Sequence, residues 1–418
     1  MSEFAAFVGW DWADEEHELR LREAGSDRVE EVTLGSTPEA LHGWVALMQE
    51  RYRGRPVAIC IETSRGPVIW ALMAYAHIVL FPVNPKSVAS FRETFYPSGK
   101  KDDPVDAEVQ LELVYKHHEK LRRLNPADAA TRSLAILSEH RRKLVQGMVR
   151  ETNRLRTNLK SYFPQALELT GELGTPMSCD FLVRWPSLSE LQRARRGTIE
   201  EFYRKHGSRS ESRISARLEL LDQAIPLTDD EAVVRCGILV TRAQVRLLRV
   251  LHESIAELDD QLKALYVNHV EHELIDSFPG LGVVLGSRMV AILGSDRDRF
   301  ETRESLQLLT GVAPITKRTG GKNGPLTVQR RLRRSKFIHQ TIVEWAGQTV
   351  QRSAWAKAFY DQQTAAGKRH WSALRALGFK WLRILYRCWH TRQRYNEATY
   401  LEALHKHGSS LASKLTAA

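Results

Sequence analysis

The sequence predicts an α/β domain at the N-terminus, followed by a helical middle region and a mainly α-helical C-terminal domain. Strand-length apolar runs alternate with amphipathic segments up to about residue 126. From about residue 127 the spacing of Leu and Arg is that of long helices, and this pattern changes again near residue 275. At 418 residues the chain is also too long for one ordinary domain. We therefore expect three regions, 1–126, 127–274 and 275–418.

The first region should contain three consecutive strands and then alternating helices and strands. The expected strands cover residues 7–12, 18–21, 29–34, 57–61 and 78–83. No helix separates the first three strands, whereas the later ones need helical crossovers. Three meandering strands followed by crossover units are the layout of a ribonuclease-H-like fold, and we expect that fold here.

The first helix has clear start signals. Ser36 or Thr37 can cap it, Pro38 suits its first turn, and Glu39 would complete a capping box with Ser36. A second helix is expected over residues 67–76. Three apolar residues at helical spacing should form the buried face of the first helix, namely Leu41, Trp44 and Leu47.

The middle region should contain two long helices. Apolar residues between 134 and 159 lie near one helical face, and Pro164 and residues 171–176 end that pattern. Between Leu248 and Leu265 the apolar spacing alternates between three and four, which predicts the seam of a coiled coil or helical hairpin. Because the seam is short, a core-facing helix in a bundle explains it equally well.

The C-terminal region begins with a glycine-rich turn and ends in an aromatic helical segment. Residues 278–282, Phe-Pro-Gly-Leu-Gly, predict a turn between two helices, the second over residues 283–293. Such a turn either offers backbone N–H groups to a phosphate or simply joins two helices tightly. The segment 345–407 carries aromatics that are more often core than base-stacking groups. They are Trp355, Phe359, Tyr360, Trp371, Phe379, Trp381, Tyr386 and Trp389.

The composition points to a polyanionic partner. The formal net charge is +11 and the pI is about 9.5, which favours nucleic acid or an anionic membrane as partner. No apolar run is long enough to span a membrane, and acids stand at the N-terminus where a signal peptide needs basic residues. We therefore expect a protein that stays inside the cell and does not act at a membrane.

Four cysteines are scattered along the chain, at positions 60, 179, 236 and 388. They form no CxxC pair and no cluster with histidine, which argues against a zinc site and against a disulfide framework. All four are expected to be buried, reduced thiols.

Two basic segments are candidate nucleic-acid surfaces. Phosphate contacts would make binding at both sensitive to salt, although such runs are usually solvated faces or flexible arms. The first is helical and comprises Arg141, Arg142, Lys143, Arg150, Arg154 and Arg156. The second, residues 317–336, contains glycines typical of a loop and no acid, and its basic residues are Lys317, Arg318, Lys322, Arg330, Arg331, Arg333, Arg334 and Lys336.

Four acids are the main candidates for a catalytic centre. Asp11 ends the first strand, Glu62 ends the strand at 57–61, and Asp103 and Asp106 lie three apart, on one helical face. Each acid alone is more often a surface residue, but sites in α/β domains gather at strand ends. A divalent cation would offset their repulsion, and Mg²⁺ prefers such oxygen ligands. We therefore expect an Mg²⁺ site for phosphoryl transfer. Two neighbouring acids, Asp14 and Asp102, are expected to be solvated bystanders.

Short motifs in a fixed order resemble those of a known family. In the N-terminal region they are Gly9-Trp10-Asp11, Ile61-Glu62-Thr63, and Ser98-Gly99-Lys100-Lys101 with Asp103 and Asp106-Ala107. In the C-terminal region they are Phe278-Pro279-Gly280-Leu281-Gly282, Gly294 with Asp298-Arg299-Phe300, Leu309-Thr310-Gly311-Val312-Ala313-Pro314, and Thr319-Gly320. Together, over nearly the whole chain, they resemble the DEDD transposases of the insertion sequence 110 family, described as bridge-RNA-guided recombinases.

The resemblance implies roles for the acids and for one hydroxyl. The four acids would be the metal-binding tetrad of a RuvC-like domain, and the C-terminal domain would supply a nucleophile, which is a serine before a glycine in the family. The matching residue here is Thr319, a departure from the family pattern. Its hydroxyl can attack phosphorus, but its methyl group crowds the approach. Ser335, the only serine in the basic stretch, is the alternative nucleophile.

The resemblance also implies partners and a location. They are donor and target DNA, a structured guide RNA, and further copies of the chain as a dimer or tetramer, in the bacterial cytoplasm at the nucleoid. Two other functions stay open. A hydrolytic nuclease of the Holliday-junction type needs the acids but no hydroxyl nucleophile, and a nucleic-acid-binding protein with a decayed site needs neither. The segment 171–231 is longer than in the shortest relatives, and the sequence assigns it no role.

Overall fold

The computed structural model describes residues 3–95, 103–318, 326–329, 334–409 and 411. The chain forms two compact units, residues 1–126 and 127–418. The first unit is α/β and the second is mainly α-helical. Among the described residues no helix is both long and apolar enough to cross a membrane.

The first unit is built on a mixed sheet of five strands in the order β3-β2-β1-β4-β5. Strands β1, β2 and β3 form an antiparallel meander, and β4 and β5 extend the sheet in parallel with β1. The predicted order of three strands followed by alternating helices and strands is confirmed. The bounds are β1 (Ala6–Asp11), β2 (Glu16–Glu23), β3 (Val29–Gly35), β4 (Val57–Ile61) and β5 (Ile78–Pro82).

Helices cover both faces of this sheet. They are α1 (Pro38–Arg51), α2 (Pro67–Leu72), α3 (Pro85–Phe95) and α4 (Asp103–His117). α1 and α2 pack on one face, and α4 packs on the other. At Gly9 in β1, a Cβ atom would lie 1.9 Å from the carbonyl oxygen of Ala107 in α4. Only glycine therefore lets α4 approach the strand this closely.

The start of α1 differs from one of the predicted capping arrangements. Thr37 is the N-cap, and its Oγ1 accepts a hydrogen bond from the Ala40 N–H at 3.2 Å. The capping box expected from Ser36 and Glu39 is wrong, because Ser36 lies one residue before the cap.

Two further expectations for this unit are wrong in detail. Leu47 is 55% exposed, because the buried positions 41, 44, 45 and 48 place it on the outer side of α1. Helix α2 ends at Leu72 rather than near residue 76. The chain turns back there to enter β5, and the Tyr75 N–H donates to the Leu72 carbonyl oxygen at 3.2 Å.

Two long antiparallel helices, α5 (Ala129–Tyr162) and α11 (Glu231–Val267), form the frame of the second unit. Asn158, near the end of α5, donates to the Gly237 carbonyl oxygen at 2.9 Å. Arg141, in the first half of α5, donates to Asp259 Oδ2 at 2.9 Å, and Asp259 lies in the last third of α11.

The apolar seam between residues 248 and 265 lies in this hairpin. Leu248, Ile255 and Leu262 are buried, and α11 packs along α5. The helical-hairpin alternative therefore holds, with the partner helix in the same chain. The seam gives no ground for the expected oligomer, which stays a prediction on other grounds.

The segment between the two long helices is a helical subdomain. It contains α6 (Ala166–Leu169), α7 (Pro176–Arg184), α8 (Leu188–Gln192), α9 (Arg196–Lys205) and α10 (Glu211–Asp222). These helices share a hydrophobic core with α5 and α11. The predicted breaks are confirmed, since α5 ends before Pro164 and α7 begins at Pro176. The segment 171–231 thus encloses one end of the α5–α11 hairpin.

The remaining residues form a helical bundle with a small hairpin. Its elements are α12 (His272–Asp276), α13 (Val283–Leu293), α14 (Arg303–Thr310), β6 (Ile315–Arg318), β7 (Leu326–Gln329), α15 (Lys336–Val350), α16 (Ala354–Ala365), α17 (His370–Thr391) and α18 (Glu397–Lys406). Trp345, Trp355, Trp381 and Trp389 are fully buried in its core. This supports the core interpretation of the aromatic segment, with Trp371 as an exception at 63% exposure.

The glycine-rich turn before α13 is a tight helix–helix connection. Gly280 has a φ of +82°, and a Cβ atom there would lie 2.9 Å from Cβ of Gln348 in α15. The Trp345 indole N–H donates to the Pro279 carbonyl oxygen at 3.0 Å. Both contacts favour the packing interpretation of this turn over a phosphate-binding one.

Candidate functional site

Two of the candidate acids lie at the edge of the sheet where the parallel strands β1 and β4 end. β1 and β4 are parallel neighbours, and their last paired residues come directly before Asp11 and Glu62. Side chains alternate along a strand, so Asp11 faces the same side as Gly9, and Glu62 continues the side of Cys60. Gly9 contacts α4, and Cys60 belongs to the core layer beneath α4. Both acids are therefore directed to the side of the sheet that α4 covers.

Helix α4 brings Asp106 to the same edge. The rings of Phe7 and Tyr115 are 5.2 Å apart, and the Trp10 backbone N–H donates to Gln110 Oε1 at 3.2 Å. α4 therefore runs antiparallel to β1, and its N-terminal end, which carries Asp106, lies at the carboxyl end of β1. Asp106 is only 7% exposed.

Asp106 forms an ion pair with Arg92 of α3. The Arg92 Nη1 donates a hydrogen bond to Asp106 Oδ1, and the two side chains are 20% and 10% exposed. Arg92 was not predicted as a site residue, because a single arginine in a helix carries no signal of which neighbouring helix it will contact. The positive charge of Arg92 therefore balances one of the four negative charges expected at this site.

The fourth acid, Asp103, begins α4, but its side chain lies outside the described part of the chain. Among the described residues no group of three His, Cys, Asp or Glu is arranged to hold a metal ion. Convergence of the four acids within metal-bridging distance therefore stays a prediction. The donor chemistry fits, because carboxylate oxygens are the ligands that a hard divalent cation prefers.

Two of the four cysteines are buried thiols and are poorly suited to act as a nucleophile. Burial raises the pKa of the Cys60 thiol, and the nearby charge of Glu62 raises it further. Burial also raises the pKa of Cys179, to about 11. The expectation of four buried thiols is wrong for Cys236, which is exposed, and Cys388 is half-buried. None of the four forms a disulfide.

The proposed nucleophile, Thr319, lies outside the described residues, as do Lys322, Arg330, Arg331 and Arg333. The described backbone of β6 ends directly before Thr319, at Arg318, although the side chains of Lys317 and Arg318 are not described.

The alternative nucleophile, Ser335, has a structural use. It is the N-cap of α15, and its Oγ accepts a hydrogen bond from the Ile338 N–H at 3.4 Å. Its neighbours differ in exposure. Arg334 is half-buried against Gly311, where a Cβ atom would lie 2.5 Å from that of Arg334, and Lys336 is exposed.

The basic residues of α5 divide into paired and exposed groups. Arg141 pairs with Asp259, and Arg142 donates to Glu139 at 2.6 and 2.9 Å. Arg154 also lies beside a carboxylate, that of Glu151, at 3.2 Å. Arg154 is exposed all the same, and the other three are exposed and form no ion pair with another described residue, namely Lys143, Arg150 and Arg156. The exposed group is the better candidate for phosphate contacts.

Two family profiles match the chain. One, described as Transposase and belonging to the DEDD group of IS110, matches residues 8–164, which include the acidic sheet edge. The other, described as Transposase IS116/IS110/IS902 family, matches residues 272–361, which include the β6–β7 hairpin. Together they cover more than half of the chain. The chain belongs to the insertion sequence 110 family of transposases.

Relatives match this transposase over much of its length. "Mini-circle putative transposase for IS117" of Streptomyces coelicolor is 27% identical over 407 residues, 94% of this chain and 95% of its own. "Insertion element IS900 uncharacterized 42 kDa protein" of Mycobacterium paratuberculosis is 23% identical over 405 residues, 94% and 98% respectively. "Insertion element IS110 uncharacterized 43.6 kDa protein" of Streptomyces coelicolor is 27% identical over 300 residues, 70% and 71%. The family is one of transposases, so the chain is an enzyme that acts on DNA.

Proposed function

We propose that this transposase cuts and rejoins DNA strands by phosphoryl transfer, with Mg²⁺ held by Asp11, Glu62, Asp103 and Asp106. The observation that carries the proposal is the shared sheet edge. Two acids follow the paired ends of parallel strands, and a third lies in the first turn of the helix packed over them. Mg²⁺ bound there would stabilise charge on the attacking and leaving oxygens.

The architecture of the first unit supports the ribonuclease-H-like, RuvC-like assignment within this proposal. The meander β1-β2-β3 and the parallel additions of β4 and β5 follow the layout expected from the sequence. In that layout the chain's own groups keep the acids in place. Arg92 holds one oxygen of Asp106, and Gln110 fixes the backbone of Trp10 directly before Asp11.

The Thr319 hydroxyl is the proposed nucleophile. Its oxygen forms a bond to the scissile phosphorus while its proton passes to water. The bond from phosphorus to the leaving strand breaks, and the leaving oxygen takes a proton from water and becomes a free hydroxyl. A hydroxyl of the strand to be joined then attacks the same phosphorus and gives its proton to water, and the Thr319 oxygen leaves and regains a proton from water. Lys317, Arg318 and Lys322, its neighbours in sequence, are proposed to stabilise the charge on the phosphate.

A structured RNA is the proposed guide, which would read the DNA by base pairing and leave the protein to recognise backbone shape. The exposed Lys143, Arg150 and Arg156 on α5 and the basic segment 317–336 support this part of the proposal through their charge. We also propose that the transposase acts as a homo-oligomer, because strand exchange joins two DNA duplexes at once. Light scattering of the RNA-bound protein measures this directly, and a strict monomer would count against it.

One observation favours a second function. Threonine stands where the family resemblance places serine, and a hydrolytic nuclease would need the acids without any hydroxyl nucleophile. In that case water attacks the phosphorus, and no protein–DNA bond forms. A binding protein with a decayed site is disfavoured, because all four acids are present.

A single experiment separates these functions. The full chain is incubated with Mg²⁺, the RNA encoded beside its reading frame and end-labelled DNA, and is then denatured. Label retained on the protein supports the covalent mechanism. Cut DNA without labelled protein supports hydrolysis, and intact DNA supports a binding role alone.

A further inference from the structure

A groove runs along one face of α17 in the second unit. Two clefts of about 700 and 1020 Å³ form it, and they meet at Lys380 and Arg383, which line both. The first cleft is bounded by residues 311–314 and α16, and the second by α18. The sequence favoured a core role for the aromatic residues of this segment over base stacking, and the proposed function makes no use of the groove.

The rim of this α17 groove is basic. Arg375, Lys380, Arg383 and Arg387 lie on neighbouring turns of α17 and line the two clefts. Arg383 and Arg387 are exposed, and neither forms an ion pair within the described part of the chain. Glu301 is the only acid among the described residues that line the groove. Such a rim attracts a polyanion.

The floor of the α17 groove is aromatic. Phe359 and Phe379 line the first cleft, and Tyr386 and Tyr400 line the second. All four rings are half-buried, in contrast to the tryptophans of the core behind them. The Lys380 Nζ lies 4.9 Å from the centre of the Phe359 ring. Cation and ring surfaces therefore stand side by side along the groove.

We infer that the α17 groove binds an unpaired DNA strand, an inference that rests on the proposed cutting of DNA. A duplex presents phosphates on its outside and keeps its bases stacked, so it would contact the basic rim and leave the aromatic floor unused. An unpaired strand places phosphates on the rim and base faces on the rings at the same time. The combination of rim and floor therefore selects the unpaired strand.

The position of the groove suits this role. Residues 311–314 bound its first cleft and lead directly into β6, which ends immediately before Thr319. A strand held in the groove is therefore adjacent to the chain segment that enters the hairpin of the proposed nucleophile. Cutting and rejoining require a strand end to be held between the two steps, and the groove would hold it.

The test measures binding without catalysis. Fluorescence anisotropy in EDTA follows a labelled oligothymidylate of about 12 nucleotides, a matched DNA hairpin duplex and an oligouridylate across a salt series. The full-length wild type is compared with Arg383→Ala/Arg387→Ala and with Phe379→Ala. Arg209→Ala/Arg246→Ala is the matched control, since it removes the same charge from exposed positions outside the groove.

We expect one change in the salt dependence of binding and a separate change in affinity. Arg383→Ala/Arg387→Ala should reduce the salt dependence for oligothymidylate by about two phosphate contacts, and the control should not do so to the same extent. Phe379→Ala should weaken oligothymidylate binding by about fivefold or more with an unchanged salt slope, because it removes stacking and no charge. The hairpin duplex should lose less affinity in both variants.

Three results would overturn the inference. The first is an equal loss of oligothymidylate affinity in the groove and control arginine variants. The second is a larger loss of affinity for the duplex than for oligothymidylate in the groove variants. The third is a larger loss of affinity for oligouridylate than for oligothymidylate, which would assign the groove to RNA. Since binding is measured without cutting, its outcome is separate from that of the covalent-adduct experiment. An absent adduct with normal groove binding would remove the proposed chemistry and leave the groove assignment intact.

Discussion

Arg92 donates a hydrogen bond to Asp106 at the sheet edge where the candidate metal ligands gather. The two side chains are 20% and 10% exposed, so solvent and salt screen their attraction only in part. Arg92 therefore places a guanidinium group against a carboxylate that is proposed to bind the metal. A metal ion that binds Asp106 must therefore displace Arg92 or use the other carboxylate oxygen.

We expect Arg92→Ala to bind divalent metal more tightly than the wild type. The substitution removes a cation that competes for Asp106. If displacing a partly exposed ion pair costs on the order of 1 kcal/mol, the affinity for the metal should rise about fivefold. Titration calorimetry or the paramagnetic resonance of Mn²⁺ measures this without DNA. Arg51→Ala, which breaks an ion pair on α1 with Glu23 and Glu30, is the control. Equal or weaker metal binding by a folded Arg92→Ala would show that Arg92 does not compete with the metal.

Asp11→Ala should abolish strand cutting and largely spare nucleic-acid binding. Asp11 ends β1 at the acidic edge, and loss of a metal ligand typically removes several kcal/mol of transition-state stabilisation, a thousandfold or more in rate. Asp14→Ala is the matched control, because Asp14 is an exposed acid three residues further along the chain. A cutting assay and a binding assay on the same samples separate the two effects. Cutting at wild-type rate by Asp11→Ala would rule out its metal role.

The sequence predicted elements best where local pattern alone determines them. β4 was predicted with its observed bounds because five consecutive apolar residues form a buried strand. The bounds of α13 were also correct, since Gly282 and Gly294 flank an apolar helical run.

Contacts between distant elements were not predictable. The pairing of Arg92 with Asp106 depends on which helices pack together, and no periodicity encodes that. The groove was hidden for another reason. α17 buries Trp381 and exposes Arg383 two residues later, so its core pattern concealed a basic rim.

Charge removal on α5 should have different effects at exposed and paired positions. Alanine at Lys143, Arg150 or Arg156 should weaken RNA and DNA binding. Each substitution should also reduce the slope of log binding constant against log salt concentration by about one. Arg141→Ala should instead lower the free energy of unfolding, by about 1 kcal/mol or less, because Arg141 pairs with Asp259 across the hairpin. Salt-dependent binding and thermal unfolding of all four variants check this. A flat salt response of the wild type would remove the electrostatic basis of the prediction.

The second unit should lose stability in mild acid through His269. Its Nδ1 accepts the Glu271 N–H at 3.1 Å, so the Nε2–H faces Thr131 Oγ1 at 3.0 Å. Burial lowers the pKa of His269, and the charges of Asp128 and Glu271 oppose this only in part. Glu271 is itself engaged in an ion pair with Arg297, at 2.6 Å.

The sign of this pH effect follows from the lowered pKa. In the unfolded chain His269 takes up a proton near pH 6.5, and in the folded chain it does so only at lower pH. Its contribution to the free energy of unfolding is therefore fully present above about pH 6.5 and is lost as the pH falls below that value. Between about pH 7.5 and 5.5 the melting temperature of the wild type should fall more than that of His269→Gln, which cannot titrate. His405→Gln, at an exposed position, should behave as the wild type. Parallel curves for wild type and His269→Gln would show that His269 does not carry the effect.

Two hydroxyls are candidates for the nucleophile, those of Thr319 and Ser335. Thr319→Ala should eliminate the covalent protein–DNA adduct, because no oxygen remains to bond phosphorus. Thr319→Ser should keep or raise the activity, since it retains the hydroxyl and removes the methyl group that crowds the approach. Ser335→Ala should keep the adduct and cost about 1 kcal/mol of stability, because Ser335 caps α15. Gel analysis of denatured reactions with labelled DNA measures the adduct, and thermal unfolding measures the cap. If Ser335→Ala loses the adduct and Thr319→Ala keeps it, the nucleophile is Ser335. If both variants cut DNA as the wild type does, hydrolysis at the acidic edge replaces the covalent mechanism.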